Sequence, residues 1–201
     1  VHWSGFTGSL QESVSEGIGR ACAEFSLSSP SRDDALPSSR FTAGRSVPVF
    51  IHWELVPGEQ VQLTVAARSG QDESKTRLLM KDPQESIADS VLAQLNELRE
   101  SFRFPFVLGI GVGGTAENAV LTARECLNDP LNMAELLDRG PQTSVENLRT
   151  EIFRRLNEFS DDAGSFVLRP PVLDVKIRLR SDRYPVWPIC LMLETGIPRR
   201  M

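Results

Sequence analysis

The sequence predicts an α/β fold in which a mixed β-sheet is flanked by helices. Stretches with apolar residues at three- and four-residue spacing alternate along the chain with short apolar runs rich in β-branched residues. This order is typical of strands and helices packed in layers around one core. The chain has 201 residues, enough for a sizeable core, and contains no internal repeat. We therefore expect a single domain over residues 1–201.

The composition argues against nucleic-acid binding, a membrane span and a disulfide-rich or Cys-x-x-Cys metal-binding protein. The chain has 22 Lys and Arg against 27 Asp and Glu, a net charge of −5, which argues against a nucleic-acid partner. No apolar run approaches the roughly 20 residues that span a bilayer, and the start "VHWSGFTGSL" lacks the features of a secretory signal. Cys22, Cys126 and Cys190 are too widely spaced for a disulfide framework or a Cys-x-x-Cys metal pair. We expect a cytoplasmic protein.

The first third of the chain predicts one helix and two strands. Apolar spacing indicates a helix over 10–25, for which Ser9 and Glu12 form a capping box. Residues 26–45 are rich in Ser, Pro, Arg and Asp and predict a long surface loop. The runs at 47–53 and 60–66 are typical of strands, joined by a turn at Pro57 and Gly58 and followed by a polar loop.

The remainder predicts three more helices and three more strands. The helices are expected at 87–102, 115–127 and 145–159, and the strands at 106–110, 173–179 and 186–193. An irregular or short helical connection is expected over 128–140.

A glycine-rich turn joins the strand at 106–110 to the helix that follows it. The N–H groups of a helix's first turn have no internal partners and can bind an anion, and glycines let it approach closely. Gly111, Gly113, Gly114 and Thr115 are therefore candidate anion-binding residues. The run fits neither the Walker loop nor the dinucleotide-binding pattern. A turn that needs glycine only for packing is the alternative.

The segment "GIGVGGTAENAVLTARECL" resembles the glycine loop and following helix of the iron–sulfur-dependent class I fumarases and tartrate dehydratases. "SLQESVSEGIGRACAE" resembles the N-terminal helix of that family, and "VFIHWELVPGEQVQLTVAARSGQDESK" resembles its His-Trp-Glu strand pair and the loop after it. "LDVKI" and "ICLM" resemble its last two strands. The resemblance implies the fold of the α subunit, which in this family works with a β portion.

The cluster ligands of that family are not matched. Three cysteines hold a four-iron four-sulfur cluster there, and the motif with the first would precede Val1. Arg103 stands where the second would be, Leu193 stands at the third, and Cys190 is three residues early. Because such clusters require thiolates, we expect no cluster, no metal site and no other cofactor in this chain.

Several charged residues are candidates for binding and catalysis. Arg103 replaces a cluster ligand, Arg68 replaces a family lysine, and Arg169 lies where the family has a Gly-Gly-x-Thr-Thr loop. Arginine binds carboxylates through two parallel hydrogen bonds, although solvated surface charge is the common alternative. Glu73, by resemblance, and His52 are the candidates for acid–base catalysis, with a scaffold role as the alternative for His52.

Three functions remain open at the level of sequence. The first is a repurposed, cluster-free enzyme that acts as a lyase, isomerase or cyclase on a carboxylate-bearing or conjugated substrate. The second is a non-catalytic, partner-binding subunit of the same fold. The third is an active iron–sulfur hydro-lyase whose missing ligands come from elsewhere. A β-type partner chain or a homodimer would fit each of them.

Overall fold

The computed structural model describes residues 8–24, 49–55, 57–58, 61–68, 70–98, 105–161, 172–180 and 185–195. The chain divides into two compact units, Val1–Val61 and Gln62–Met201, and the prediction of a single domain stays a prediction. The first unit contains helix α1, Leu10–Glu24. The Ser9 hydroxyl accepts the Glu12 N–H at 3.3 Å, so the predicted helix and its N-cap are confirmed. The predicted loop over 26–45 lies outside the described residues.

The two strands predicted in the first third are wrong. Residues 49–55 and 61–68 are described and belong to no strand, although the chain does bend at Pro57 and Gly58. Val61, Leu63 and Val65 have the predicted alternation, but their side chains are exposed. β-Propensity measures how well a side chain fits a pleated, half-buried surface, and no sheet surface receives these side chains within the described part.

The second unit contains the other elements. They are α2 (Gly70–Glu73), β1 (Arg77–Lys81), α3 (Ile87–Glu97), β2 (Phe106–Val112), α4 (Ala116–Cys126), α5 (Met133–Arg139), α6 (Ser144–Asp161), β3 (Val172–Leu179) and β4 (Trp187–Thr195). The helices and strands predicted from residue 87 onward are confirmed, with shifts at their ends. The polar loop predicted after Arg68 is wrong in part, because it contains α2 and leads directly into β1.

The strands form one mixed sheet in the order β1-β4-β2-β3. β4 pairs antiparallel with both β1 and β2, and β2 pairs parallel with β3. β2 is buried along its whole length, as expected for a central strand covered on both faces. The predicted α/β class with a mixed sheet is therefore confirmed.

The two faces of the sheet carry separate apolar clusters. The larger cluster packs α3 and α6 on the side of Leu108, Ile110 and Leu191. The smaller one packs α4 on the side of Val107 and Met192. Along β2, glycine therefore takes alternate positions on the face that α4 covers. Among the described residues, no helix has the length and apolar character needed to cross a membrane.

Candidate functional site

Several distant segments of the chain meet at one end of the sheet. Phe106, the first residue of β2, pairs with Val172 at the start of β3 and with Thr195 at the end of β4. β1 does not reach this end, because its first residue, Arg77, pairs with Leu191, which lies level with Ile110. We call this the Phe106 end. Leu193, which stands at the third cluster-ligand position of the resemblance, lies here and is buried in the core.

A small polar cleft opens at the Phe106 end. It is lined by Arg68, Asp72, Glu73, Thr76, Leu127, Met192, Leu193 and Glu194. The free space in it is about 10 Å³, roughly what one water molecule requires. The side chains on its walls therefore fill most of the cleft, and a ligand larger than water has to displace one of them.

Arg68 connects the cleft to the end of helix α4. Its Nη2 donates to the Arg124 carbonyl at 3.1 Å and to Asn128 Oδ1 at 2.9 Å. Its Nη1 lies 3.4 Å from Glu194 Oε2. A cation at the last carbonyls of a helix also interacts favourably with the helix dipole. Arg68 is therefore engaged by the fold and places positive charge beside Glu194.

Asp72 fixes α2 to the end of β4. One carboxylate oxygen accepts the Thr195 N–H at 2.9 Å and the other accepts the Thr195 hydroxyl at 2.7 Å. Lys75 Nζ lies 3.4 Å from the same carboxylate, and both side chains are nearly buried. Asp72 is satisfied by these partners, so its role is to hold the cleft wall.

Glu194 is the buried acid of the cleft. Its side chain is 10% exposed, and Arg68 is its ion-pair partner. Burial raises the pKa of the Glu194 carboxyl above 4.5, Arg68 opposes that rise, and the charge of Asp72 adds to it. A carboxyl whose pKa is moved toward neutrality by burial is suited to proton transfer.

Glu73 and Arg124 form an ion pair beside the cleft, between α2 and α4. Both Glu73 oxygens contact the same nitrogen, Arg124 Nη2, at 3.0 and 3.1 Å. The neighbouring Arg124 Nε is buried and has no hydrogen-bond partner; within the described residues, Thr150 Oγ1 is the other such buried side-chain atom. The Glu73 side chain is 43% exposed and Arg124 is 27% exposed.

The glycine turn lies at the opposite end of the sheet. The turn follows Val112, whereas the β4 residues of the cleft pair with Val107, Leu108 and Gly109, so roughly 10–16 Å of strand separates the turn from the cleft. The structure therefore does not bring Gly113, Gly114 and Thr115 together with Arg68 and Glu73. Anion binding by the turn and anion binding by Arg68 are therefore separate predictions.

Close packing accounts for the glycines along β2. A Cβ at Gly109 would lie 2.6 Å from the Ala123 carbonyl oxygen, and one at Gly111 would lie 2.6 Å from the Ala123 nitrogen and closer still to the Ala119 carbonyl oxygen. Gly111 is an interior residue of the strand, paired with β3 on one side and β4 on the other. The packing alternative thus explains Gly111 directly.

The turn residues themselves are used by the fold. Gly113 has φ +89° and Gly114 has φ +70°, in the left-handed region that favours glycine. The Gly113 N–H donates to the Pro188 carbonyl at 2.9 Å. Thr115 is the N-cap of α4, and its hydroxyl accepts the Asn118 N–H at 3.2 Å. These groups close the strand–helix connection.

The other candidate residues lie elsewhere or outside the described part. His52 belongs to the first unit, is exposed, and lies in no strand. Arg103 and Arg169 lie outside the described residues. In sequence, each of them precedes by three residues a strand that begins at the Phe106 end.

The three cysteines do not fit an iron–sulfur cluster. Cys126 is buried and donates to the Ala123 carbonyl at 3.2 Å; burial raises its pKa and that of Cys190 to about 12. Cys22 lies in α1, in the other unit. A cluster needs thiolates, whereas the two buried sulfurs are held as neutral thiols in the core. Within the described residues, no three His, Cys, Asp or Glu side chains are grouped to hold a metal ion.

Sequence reasoning missed three residues of the site. Glu194 follows the apolar run "ICLML", and a charged residue at the end of a buried strand is a usable signal. Arg124 was read as part of an ordinary helix, and Asp72 as part of a polar loop. Neither has a local signal, because the partners of Arg124 and Asp72, Glu73 and Thr195, are 51 and 123 residues away.

Comparison with known proteins agrees with the resemblance seen in the sequence. A search of curated proteins finds no match to this chain. The family model described as "Fumarate hydratase (Fumerase)" matches residues 2–201, which is nearly the whole chain. The chain therefore belongs to the fumarate hydratase (Fumerase) family.

Proposed function

We propose that this chain is a cluster-free member of its hydro-lyase family that acts by acid–base catalysis on a carboxylate-bearing or conjugated substrate. The observation that carries the proposal is the cleft at the Phe106 end, where a buried carboxyl, Glu194, lies beside the cation of Arg68. Such a pair can move a proton next to a bound anion without a metal. Elimination, addition, isomerisation and ring closure are the reactions within its reach.

Glu194 is the proposed acid–base group and Arg68 its positioning residue. Burial favours the protonated form of Glu194, while Arg68 stabilises the carboxylate that forms when the proton leaves. Arg68 also holds the end of α4 through the Arg124 carbonyl, so it keeps the acid in a fixed place. Glu73, at the mouth of the same cleft, is a second group able to transfer a proton.

The proposed substrate class follows from arginines of the site and of the sequence. Arg124 contacts Glu73 beside the cleft, and Arg103 and Arg169 precede β2 and β3 by three residues in the sequence. Arginine binds a carboxylate with directed, charge-assisted hydrogen bonds. We propose that at least one of these arginines binds the substrate carboxylate.

Absence of the cluster is part of the proposal. It is supported by the buried, neutral state of Cys126 and Cys190 and by Leu193 in the core at the third ligand position. We further propose that the protein is cytoplasmic and that it assembles with a β-type chain or with a second copy of itself.

A partner-binding role without catalysis is the second candidate. It is favoured by three large apolar side chains that are exposed in the first unit, Phe50, Trp53 and Leu55. Exposed apolar groups of this size are typical of surfaces that bind another protein. In this role the cleft would have no catalytic function.

The test is a proton-exchange and turnover assay with small dicarboxylic and conjugated acids in D₂O, followed by NMR. We expect the wild-type chain to convert at least one acid or to place deuterium next to its carboxylate. Glu194→Gln, which keeps the shape but cannot transfer the proton, should lower that rate by about a hundredfold or more.

The matched control is Glu117→Gln, an exposed acid on α4 near the glycine turn. It should leave the rate unchanged. Equal rates for wild type and Glu194→Gln would contradict the assignment of the acid. Absence of exchange and turnover with every acid, for a folded chain that binds a protein partner, would favour the second candidate.

A further inference from the structure

We propose that Arg124 is the residue that binds the substrate carboxylate, and that Glu73 occupies this place until the substrate displaces it. The inference rests on the proposed substrate class, a carboxylate, but not on the proposed acid–base chemistry. It names a binding residue that no sequence pattern indicated.

The geometry of the ion pair is the first argument. An arginine binds a carboxylate best when two of its nitrogens each donate to one oxygen. Here both Glu73 oxygens contact Nη2, and Nε has no partner. Glu73 therefore neutralises Arg124 without making the two-nitrogen contact, and a carboxylate on Nε and Nη2 would make one more hydrogen bond.

The unpaired Nε is the second argument. A buried donor without an acceptor is less stable than a satisfied one. Arg124 could avoid this cost only by binding an acceptor that the described residues do not supply. A ligand carboxylate is such an acceptor, and it supplies the negatively charged partner that Arg124 loses when Glu73 leaves.

The exposure of Glu73 is the third argument. Glu73 ends a helix of four residues at the cleft mouth, and its side chain is 43% exposed. A partly exposed ion pair contributes little to stability, so a ligand can replace it. The cleft has room for about one water molecule while Glu73 is in place, and rotation of Glu73 into solvent would open it.

After displacement, the ligand would lie between Arg124 and the acid of the cleft. Glu73 links the two groups, since it lines the same cleft as Glu194 and its carboxylate contacts Arg124 Nη2. A carboxylate that takes the place of Glu73 would thus lie at the mouth of the cleft that Glu194 lines. No bond is made or broken in this step, because one ion pair exchanges for another.

The experiment measures binding of fumarate, succinate and malate by calorimetry to four variants and the wild type. Arg124→Gln should weaken binding by about tenfold or more, since a charge-assisted contact is lost. Arg124→Lys keeps the charge but cannot donate from two nitrogens, and should recover only part of the affinity. Glu73→Gln should tighten binding by up to about fivefold, because the internal competitor is gone.

The matched control is Arg155→Gln, which removes an ion pair with Asp89 between two other helices, α3 and α6. It should leave the affinity unchanged. Circular dichroism confirms that each variant is folded, and Glu73→Gln tests the inference even where Arg124→Gln does not fold.

The outcomes separate this inference from the proposed function. Binding to wild type that neither Arg124→Gln nor Glu73→Gln alters would overturn the inference and leave the function standing. Binding to Glu73→Gln alone would support the inference. No binding of any acid to wild type or to Glu73→Gln would overturn both the inference and the proposed substrate class.

Discussion

At the scale of single residues, Glu194 combines burial with an incomplete set of partners. Asp72, its neighbour across the cleft, is also buried but accepts two hydrogen bonds from Thr195 and contacts Lys75. Glu194 forms one long ion pair with Arg68, in which Nη1 and Oε2 are 3.4 Å apart. Two acids in one cleft thus differ in environment, and burial raises the pKa of the Glu194 carboxyl. Such a difference is a common sign of divided roles between carboxylates.

The raised pKa of Glu194 predicts a pH dependence of stability. Below pH 4.5 this carboxyl is protonated in the folded and in the unfolded chain. As the pH rises, the unfolded chain loses the proton first, so the folded state becomes less stable until Glu194 also ionises. Wild type should therefore lose free energy of unfolding relative to Glu194→Gln as the pH rises through and above 4.5.

Urea unfolding at a series of pH values from 4 to 8 checks this expectation. The Glu117→Gln variant serves as the control for loss of an exposed carboxylate. A constant difference between wild type and Glu194→Gln over the whole range would show that burial does not shift the pKa of this acid.

At the scale of elements, the contact between β2 and α4 determines where glycine is required. The helix backbone lies so close to the strand that a Cβ at Gly111 would meet Ala119 and Ala123 backbone atoms. The same approach positions the end of α4 where Arg68 binds its last carbonyls. The glycines thus affect the cleft by letting α4 lie close to β2, and they do not donate hydrogen bonds into the cleft.

This contact predicts a matched pair of glycine variants. Gly111→Ala should lower the free energy of unfolding by about 1–3 kcal/mol or more, because the added methyl group would clash with backbone atoms of α4. Gly70→Ala, at the start of α2, has open space around the new methyl group and should change stability by less than about 1 kcal/mol. Urea denaturation measures both.

Equal stabilities for the two variants would show that α4 can move away from β2 at no cost. In that case the packing explanation for the glycines would fail, and anion binding at the turn would be the better explanation.

Sequence reasoning predicted the elements with strong periodicity. β2, β3, β4 and the helices after residue 87 were found because their apolar residues are both periodic and buried. The strands at 47–53 and 60–66 were predicted from the same kind of alternation and are wrong, because alternation does not show whether a partner strand exists. β1 was missed since its alternate side chains, Leu78 and Met80, are exposed at the sheet edge.

Only part of the site was predictable from sequence. Arg68 and Glu73 were identified through the resemblance, and the structure places both at one cleft. Arg124 and Asp72 could not be identified, because their significance depends on contacts between residues far apart in the chain. The sequence also could not show that the glycine turn and the cleft lie at different places along β2, because that depends on which residues of β4 pair with β2.

At the scale of the whole molecule, the chemistry of the cysteines distinguishes this chain from the expectation of its family. The cysteines of the second unit, Cys126 and Cys190, are core residues on the side of α4. Their side chains fill space in the core as small apolar residues do, and their burial disfavours the thiolate form. The buried state of these two cysteines supports the proposal that the enzyme works with side-chain acids and cations.

This proposal predicts the metal content of the purified protein. Chain prepared without oxygen should contain neither stoichiometric iron nor acid-labile sulfide, and a strong chelator should leave its thermal unfolding midpoint unchanged. Cys190→Ser should lower stability modestly and leave the iron content as it was. Stoichiometric iron with broad visible absorption would restore the iron–sulfur hydro-lyase.

The position of β4 in the sheet has a consequence for how the molecule is made. β4 is the last of the described strands in the chain, yet it lies between β1 and β2. Until it emerges from the ribosome, these two strands have no common neighbour, and both expose unpaired backbone edges. Folding must then wait for contacts between residues more than 100 positions apart, which makes slow, late completion the expected course. Since Glu194 and Thr195 belong to that strand, the nascent chain gains its cleft only after β4 has paired with its neighbours.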